Sequence, residues 1–123
     1  MIDAAFARQF ATEWIAAWNS HDLERILSHY TDDFEMRSPL IIERMGVASG
    51  VLSGKAAVRP YWAGGLAVQP PLHFELREVL VGVDSIALYY CNVAWNRVVV
   101  EVLTFNDQRQ CVSGSAHYAE SAR

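Results

Sequence analysis

Residues 10–61 decide the fold, and they read FATEWIAAWNSHDLERILSHYTDDFEMRSPLIIERMGVASGVLSGKAAVRPY. Apolar residues recur at three- and four-residue spacing, which predicts two amphipathic helices, followed by a strand and a third helix introduced by glycine. The residues after this stretch read as almost continuous strand. Helices gathered first and strands afterwards predict an α+β fold, in which N-terminal helices pack in the concave face of a curved antiparallel sheet. A cone of this kind encloses a pocket.

The helix ends are predicted from capping residues. Asp3 is a suitable N-cap for a helix that runs to Asn19 and buries an unusually aromatic face. Asn19 or Ser20 is expected to cap a second, shorter helix. The strand that follows is expected to end at Pro39, and we interpret residues 40–53 as a loop or loose hairpin.

Glycines and turn residues divide the rest of the chain. The third helix is expected to begin after Ser53 and to end at Gly64 and Gly65. Four strands then follow as an antiparallel meander, joined by turns rich in Asn, Asp and Gly. We expect these strands at residues 72–81, 85–95, 97–106 and 110–118. No repeat or linker interrupts the sequence, so residues 1–123 are interpreted as one domain.

Composition limits the classes of function. The 123 residues are 52% hydrophobic and 20% charged, with a net charge of −4. Nucleic-acid binding is not expected, because phosphate contacts need clustered Lys and Arg. Neither a signal peptide nor a membrane span is apparent, which predicts a soluble, cytoplasmic protein. Cys91 and Cys111 have no ligand spacing and are expected to be buried free thiols. No His, Asp or Glu spacing indicates a metal site and no phosphate-binding loop is apparent, so neither a metal nor another cofactor is predicted.

Several short motifs carry a resemblance to a known superfamily. WIAAWNSHDL at residues 14–23 and YTDD at residues 30–33 are similar to the opening of the nuclear transport factor 2-like superfamily. SP at 38–39, SGKAAV at 53–58 and EVLTFND at 101–107 are similar as well. Within this superfamily the chain most resembles the SnoaL-like and ketosteroid-isomerase-like branches. The resemblance implies a conical cavity and a homodimer, but the superfamily includes isomerases, cyclases, dehydratases, epoxide hydrolases and non-enzymatic modules.

The ketosteroid isomerases imply three site positions. Their helix-one tyrosine falls on Trp14, their oxyanion-hole acid on Glu101 and their catalytic base on Ser38. Ser38 cannot shuttle a proton near neutral pH without a basic partner, and Trp14 donates one N–H without being an acid. Steroid isomerisation by the usual mechanism is therefore not expected. The alternative for Trp14 is an aromatic side chain that fills the core.

Glu101 is the main candidate for acid/base chemistry. It interrupts a strand that is otherwise apolar over its middle, and strand alternation places it on one face with Val99, Leu103 and Phe105. Burial there would raise the pKa of the carboxyl group into the range of a general acid or base. The alternative is a structural ion pair with Arg37 or Arg97, or a hydrogen bond to a tyrosine hydroxyl.

His117 is a second candidate whose face depends on the strand register. A four-residue loop at residues 106–109 places Glu101 opposite Gly114. Tyr118 then shares the face of Glu101, and His117 points the other way. One bulge would reverse this assignment, so His117 stays a candidate.

Aromatic side chains are expected to line most of the pocket. The expected lining residues are Trp14, Trp18, Tyr30, Tyr61, Tyr89, Leu103 and Tyr118. On the ketosteroid-isomerase pattern, alternate residues of the strand 85–95 face the cavity, namely Ala87, Tyr89, Cys91 and Val93. The other face would carry Ile86, Leu88 and Tyr90. Such an apolar outer face is costly in water, which favours a homodimer through the sheet.

Two hypotheses follow. The first is a protein that binds a hydrophobic small molecule, with Glu101 as its acid/base or hydrogen-bonding group. If the protein is an enzyme, isomerisation, cyclisation, or water addition or elimination on a polycyclic or terpenoid-like substrate fits best. The second is a non-catalytic homodimeric domain whose cavity is filled by its own side chains, including four tryptophans. An accessible cavity and a titrating Glu101 would favour the first hypothesis.

Overall fold

The computed structural model describes residues 2–120, and its helices pack in the concave face of a curved, open, six-stranded sheet. This arrangement confirms the α+β fold predicted from the sequence. In chain order the elements are α1 (Ala4–Ser20), α2 (Leu23–Leu27), β1 (Tyr30–Arg37), α3 (Pro39–Met45), β2 (Val51–Ser53), α4 (Lys55–Ala67), β3 (Phe74–Val81), β4 (Ser85–Asn92), β5 (Arg97–Phe105) and β6 (Cys111–Tyr118).

Helix α1 forms as its sequence predicts. The Asp3 carboxylate accepts a hydrogen bond of 2.7 Å from the Phe6 N–H, and the helix ends at His21, whose φ of 60° is left-handed. Small and aromatic residues share its buried face, so the helix approaches the sheet closely while the rings fill the core. The buried residues of α1 are Ala7, Ala11, Trp14, Ala17 and Trp18.

The sheet has the strand order β2-β1-β6-β5-β4-β3. Strands β3 to β6 form the predicted antiparallel meander, and β2 pairs antiparallel with β1. Strand β1 pairs in parallel with β6, which the sequence did not reveal. This pairing joins the β2-β1 hairpin to the meander of β3 to β6, and it places β6 in the interior of the sheet.

The interpretation of residues 40–53 as loop or hairpin is wrong for its first part, which is helix α3. Ser38 is the N-cap, because its Oγ accepts a hydrogen bond of 3.1 Å from the Leu40 N–H. Pro39 begins the helix instead of closing a strand, since its fixed φ and missing N–H suit the first helical position. Gly46, with φ of 66°, ends the helix.

Two further helix boundaries differ from prediction. Helix α2 is capped by Asp22, whose Oδ1 accepts a hydrogen bond of 3.2 Å from Arg25 N–H, and not by Asn19 or Ser20. Helix α4 has Gly54 as its N-cap and continues through its glycine pair to Ala67. Its two interior glycines, Gly64 and Gly65, reduce helix stability by about 2 kcal/mol. Burial of two aromatic side chains of α4 outweighs this loss. These side chains are Tyr61 and Trp62.

The register between β5 and β6 also differs from prediction, but the assignment of faces is unchanged. Glu101 pairs with Ala116, not with Gly114. The turn before β6 is one residue longer than expected, which shifts the register by one residue, and the bulge at Val112 shifts it by one more. The pairing is therefore displaced by two residues in total. Because strand side chains alternate with a period of two, His117 still points away from Glu101.

Two remaining features are the state of the cysteines and the apolar length of the helices. Cys91 and Cys111 are free and buried, as predicted. Among residues 2–120, no helix is long and apolar enough to cross a membrane.

Candidate functional site

A cavity of about 170 Å³ opens between the concave face of the sheet and helices α1, α3 and α4. Most of its wall is aromatic or aliphatic, and a few polar side chains converge on it. The polar lining residues are Arg44, Tyr61, Tyr90, Asn92, Arg97, Glu101 and Tyr118. The apolar lining includes Trp18, Met36, Leu40, Trp62, Leu72, Phe74, Trp95 and Val99. Such a wall is typical of sites for small organic ligands.

Glu101 lies at the centre of β5 and faces the cavity. Its strand position puts it on the predicted buried face, and only 5% of the residue is exposed. Its Oε1 accepts a hydrogen bond of 2.7 Å from the Tyr90 hydroxyl. No Arg, Lys or His of residues 2–120 forms an ion pair with it. Of the alternatives drawn from the sequence, the hydrogen bond to a tyrosine is the one present.

The environment of Glu101 changes its protonation. Burial raises the pKa of the carboxyl group to about 7, and the hydrogen bond from Tyr90 opposes this rise. Both protonation states are therefore populated near neutral pH, which is the condition under which a carboxyl group can accept and return a proton.

The face of β4 is opposite to the one expected. Leu88 pairs with Glu101 and Tyr90 pairs with Val99, so both point into the cone. Tyr89 is 38% exposed on the convex face and does not line the cavity. The expectation failed because both faces of β4 are apolar, so alternation alone cannot orient the strand. The argument for a dimer from exposed Ile86, Leu88 and Tyr90 fails with it, since all three are buried.

A group of hydroxyls lies beside Glu101. The Tyr61 hydroxyl donates a hydrogen bond of 3.2 Å to Ser38 Oγ, and Tyr118 is on the same sheet face as Glu101. Burial and the charge of Glu101 raise the pKa of Tyr118, while nearby Arg97 lowers it. The pKa of Tyr61 is likewise raised by burial. Both phenols are therefore neutral hydrogen-bond donors at physiological pH.

Ser38 has a structural role. It is 4% exposed, and its oxygen accepts hydrogen bonds from the Leu40 N–H and the Tyr61 hydroxyl. No base is hydrogen-bonded to it among the described residues, so nothing activates it as a nucleophile or base. Ser38 holds Tyr61 in place and caps α3.

The expected lining residues divide into two groups. Trp18, Tyr61 and Tyr118 line the cavity. Trp14, Tyr30 and Leu103 lie behind its wall in the core, where Trp14 Nε1 donates a hydrogen bond of 2.8 Å to the Tyr30 hydroxyl. Their place in the lining was wrongly predicted, because a strand or helix face does not distinguish core depth from cavity wall.

His117 belongs to neither group. It is exposed on the convex face of the sheet, and its Nδ1 lies 3.2 Å from the Ser115 carbonyl oxygen. The side chain is thus on the opposite side of the sheet from Glu101, which removes it as a candidate for chemistry in the cavity.

Several lining residues were missed by the sequence analysis. Arg97 was named only as a possible ion-pair partner of Glu101, although it stands four residues before Glu101 and alternation puts both on the face that lines the cavity. Tyr90 was lost with the wrong face of β4. Arg44 lies on α3, a helix that was not predicted, and no sequence signal indicated it. Within residues 2–120, no three His, Cys, Asp or Glu side chains gather to hold a metal ion.

The fold and the cavity define a protein of the nuclear transport factor 2-like superfamily. The family description of the SnoaL-like domain matches residues 11–113, and the chain belongs to this family. No curated protein sequence matches the chain.

Solved structures give the same fold. A SnoaL-like protein of unknown function from Burkholderia thailandensis is 51% identical, covers 96% of this chain and 98% of its own, and superposes with a TM-score of 0.91. The epoxide hydrolase/cyclase-like enzyme SalBIII, which acts in pyran ring formation in the polyether salinomycin, is 18% identical over 99% and 97%, with a TM-score of 0.77. TerC, co-crystallised with polyporic acid, is 18% identical over 92% and 91%, with a TM-score of 0.72.

Proposed function

We propose that the protein binds a small hydrophobic molecule in this cavity and that Glu101 exchanges a proton with it. The observation that carries the proposal is a carboxyl group that faces the cavity, is 5% exposed, and forms no ion pair with residues 2–120. A purely structural carboxylate at this depth would be expected to have a cationic partner. A carboxyl group with a pKa of about 7 is suited instead to proton transfer.

The residues of the cavity support a simple sequence of steps. Ionised Glu101 takes a proton from a C–H or O–H bond of the ligand and becomes neutral, and the bonding electrons remain on the ligand as an enolate or alkoxide. A neutral phenol such as Tyr118 donates a hydrogen bond to the resulting oxyanion. Glu101 then returns the proton to another atom of the ligand, which completes an isomerisation, or to a leaving hydroxyl, which completes a water elimination.

The size of the cavity restricts the ligand. A volume of about 170 Å³ is close to the engineered cavity of about 150 Å³ that holds one benzene molecule. Pockets for drug-sized ligands are larger, about 300–1,000 Å³. We therefore propose a ligand with one ring, which is smaller than the polycyclic or terpenoid-like substrate expected from the sequence.

Proteins with the same fold support the proposal that this cavity binds a small molecule. SalBIII is described as an epoxide hydrolase/cyclase-like enzyme, and TerC was crystallised with a bound organic acid. Chains with this fold therefore include a catalyst and a small-molecule complex. At 18% sequence identity, the similarity of this chain to SalBIII and TerC is evidence for a shared fold only, and not for a shared activity or ligand.

A tryptophan fluorescence titration tests the proposal. Planar one-ring phenols and ketones are titrated into wild type and Glu101→Gln across pH 5 to 9, with Glu75→Gln as a control, because Glu75 is an exposed carboxylate of β3. We expect saturable quenching whose affinity changes around pH 7 in wild type and in the control, but not in Glu101→Gln. Saturable binding with the same pH profile in all three proteins would remove Glu101 from the proposal.

A second candidate function is a non-catalytic homodimer whose cone is largely filled by its own side chains. It is favoured by an aromatic cluster that joins the cavity wall to the core behind it, in which Trp62 packs 5.1 Å from Trp18 and 5.0 Å from Tyr30, measured between ring centres. Failure of every probe to bind in the titration would favour this candidate.

A homodimer through the convex face of the sheet is compatible with either function. Half-buried Val98, Val100 and Val102 lie there beside exposed Tyr89, and an apolar surface of this kind is stabilised by a second copy. Light scattering after size exclusion should give twice the chain mass, and Val100→Lys should give a monomer. A monomeric wild type would remove the dimer.

A further inference from the structure

The basic side chains of this acidic chain are distributed unevenly. Within residues 2–120, six of the nine Lys and Arg side chains form an ion pair with a carboxylate. The three that form none within this range are Arg8, Arg44 and Arg97. Two of these three, Arg44 and Arg97, line the cavity. A net charge of −4 makes carboxylate partners plentiful. The two cavity arginines nevertheless form no ion pair with any carboxylate of residues 2–120, which leaves their charges available to a ligand.

Both guanidinium groups lie next to cavity phenols. The Arg97 Cζ is 5.3 Å from the centre of the Tyr118 ring. Arg44 reaches over α4, where its Nη1 would be 3.5 Å from a Cβ added to Gly65. Burial raises the pKa of both phenols, and this rise is opposed by the positive charge of Arg44 at Tyr61 and of Arg97 at Tyr118. The two charges therefore act on the same wall of the cavity.

The charges lie at different depths. Arg44 is exposed and Arg97 is half-buried, whereas Glu101 is 5% exposed. Positive charge is thus at the mouth, and the single carboxyl group is inside. An anionic ligand group near ionised Glu101 would be repelled, but the same group at the mouth would be attracted. Guanidinium groups bind carboxylates through paired N–H donors, which gives orientation as well as attraction.

We propose that the ligand of this cavity is a small carboxylic acid, with its carboxylate on Arg44 and Arg97 at the mouth and its one-ring apolar body directed inward to Glu101. This inference rests on the proposed function, because it takes the same cavity as the binding site. It adds the chemical class of the ligand and the direction in which the ligand enters.

Calorimetric titration with a matched pair of probes tests the inference. The probes are 4-acetylbenzoate and its methyl ester, which share the ring and the ketone and differ in the negative charge. We expect wild type to bind the carboxylate about tenfold more tightly than the ester. In the double variant Arg44→Gln, Arg97→Gln the ratio of the two affinities should fall to about one. This ratio is the readout because both arginines line the cavity in which the ester also binds. Added salt should weaken binding of the carboxylate only.

Two control variants separate charge from packing. Arg8→Gln removes the third arginine that forms no ion pair within residues 2–120. Arg8 lies outside the cavity lining, so this variant should keep the full preference. The double variant Arg44→Lys, Arg97→Lys keeps both charges and should keep part of it.

The outcomes distinguish this inference from the function on which it rests. Saturable binding of both probes with equal affinity, or tighter binding of the ester, would overturn the carboxylate inference and leave the hydrophobic cavity standing. Binding of neither probe would overturn both. A preference that persists in the double glutamine variant would place the anion elsewhere on the protein and would also overturn the inference.

Discussion

Two aromatic clusters along the same helix differ in what their rings can do. Near the start of α1, Phe6 and Phe10 pack edge to face on Phe105, with ring centres 5.5 Å and 4.9 Å apart. Near its end, Trp14 and Trp18 pack around Phe74 and Tyr90. The residues repeat every four positions on one buried face, yet only the second cluster borders the cavity.

The difference lies in the polar groups of the rings. The first cluster has ring contacts but no ring hydroxyl or indole N–H, so it stabilises the fold through burial and geometry. The second cluster is joined to hydrogen bonds from Trp14 to Tyr30 and from Tyr90 to Glu101. One end of the cone thus provides packing, and the other end provides hydrogen-bonding groups around a ligand-sized space.

The largest expected effect comes from emptying the first cluster. Phe105→Ala should lower the free energy of unfolding by about 3–5 kcal/mol, because Phe105 is only 5% exposed and removal of its ring leaves a cavity in the core. Urea denaturation measures this loss. The comparison variant Tyr118→Phe removes one hydroxyl at the ligand end and should change stability by about 1 kcal/mol or less. Equal losses in the two variants would contradict the division between the clusters.

The second effect is a pH dependence that belongs to the cavity end. The pKa of Glu101 is about 7 in the folded protein and near the ordinary 4.5 when unfolded. The folded state therefore holds its proton more tightly, and the associated stability is fully present below pH 4.5 and is lost as pH rises through 7. Between pH 4.5 and 8 the loss is about 3 kcal/mol.

Glu101→Gln removes this dependence because its side chain does not titrate. Its free energy of unfolding relative to wild type should rise by about 3 kcal/mol from pH 4.5 to pH 8. Urea denaturation of both proteins across this range is the measurement, with Glu75→Gln as the control that keeps the wild-type slope. Parallel profiles for wild type and Glu101→Gln would show that the carboxyl group is not perturbed.

The smallest effect compares two tryptophans of one helix. Trp14→Phe removes the donor to the Tyr30 hydroxyl, while Trp18 Nε1 also faces that hydroxyl but lies outside hydrogen-bond geometry. The two substitutions remove similar volumes, so their difference isolates one buried hydrogen bond. Trp14→Phe should cost about 1 kcal/mol more stability than Trp18→Phe, measured by thermal or urea unfolding. An equal or larger cost for Trp18→Phe would contradict this.

The parts of the fold that were predicted are those with strong local patterns. Helix α1 has a capping Asp3 and a periodic aromatic face, and β3 to β6 have turn residues at regular spacing. Helix α3 was missed because Pro39 was interpreted as the end of a strand when it is the start of a helix. The parallel pairing of β1 with β6 joins segments far apart in sequence, and no local pattern reports such a pairing.

The candidate site shows the same limit. Glu101 was identified from one charge in an apolar strand. Tyr118 was placed correctly on the face of Glu101, and His117 on the other face, because two one-residue register shifts added to two. A hydrogen bond from a tyrosine hydroxyl to Glu101 was one of the expected alternatives, but Tyr90 was not identified as the donor. Neighbouring Tyr89 fits an apolar pattern equally well, and only the pairing of β4 with β5 decides between them. Arg44 reaches the cavity through an unforeseen helix, so its role depended on tertiary structure alone.

The central position of β6 has a consequence for how the protein is made. Strand β6 lies between β1 and β5, although it is synthesised after both. While the ribosome has not yet released Cys111–Tyr118, the nascent chain has two separate strand groups with unpaired edges, and Glu101 has no Tyr118 beside it. The cavity is therefore complete only when β6 has inserted between them, and until then the edges of β1 and β5 are unpaired and open to pairing with another strand.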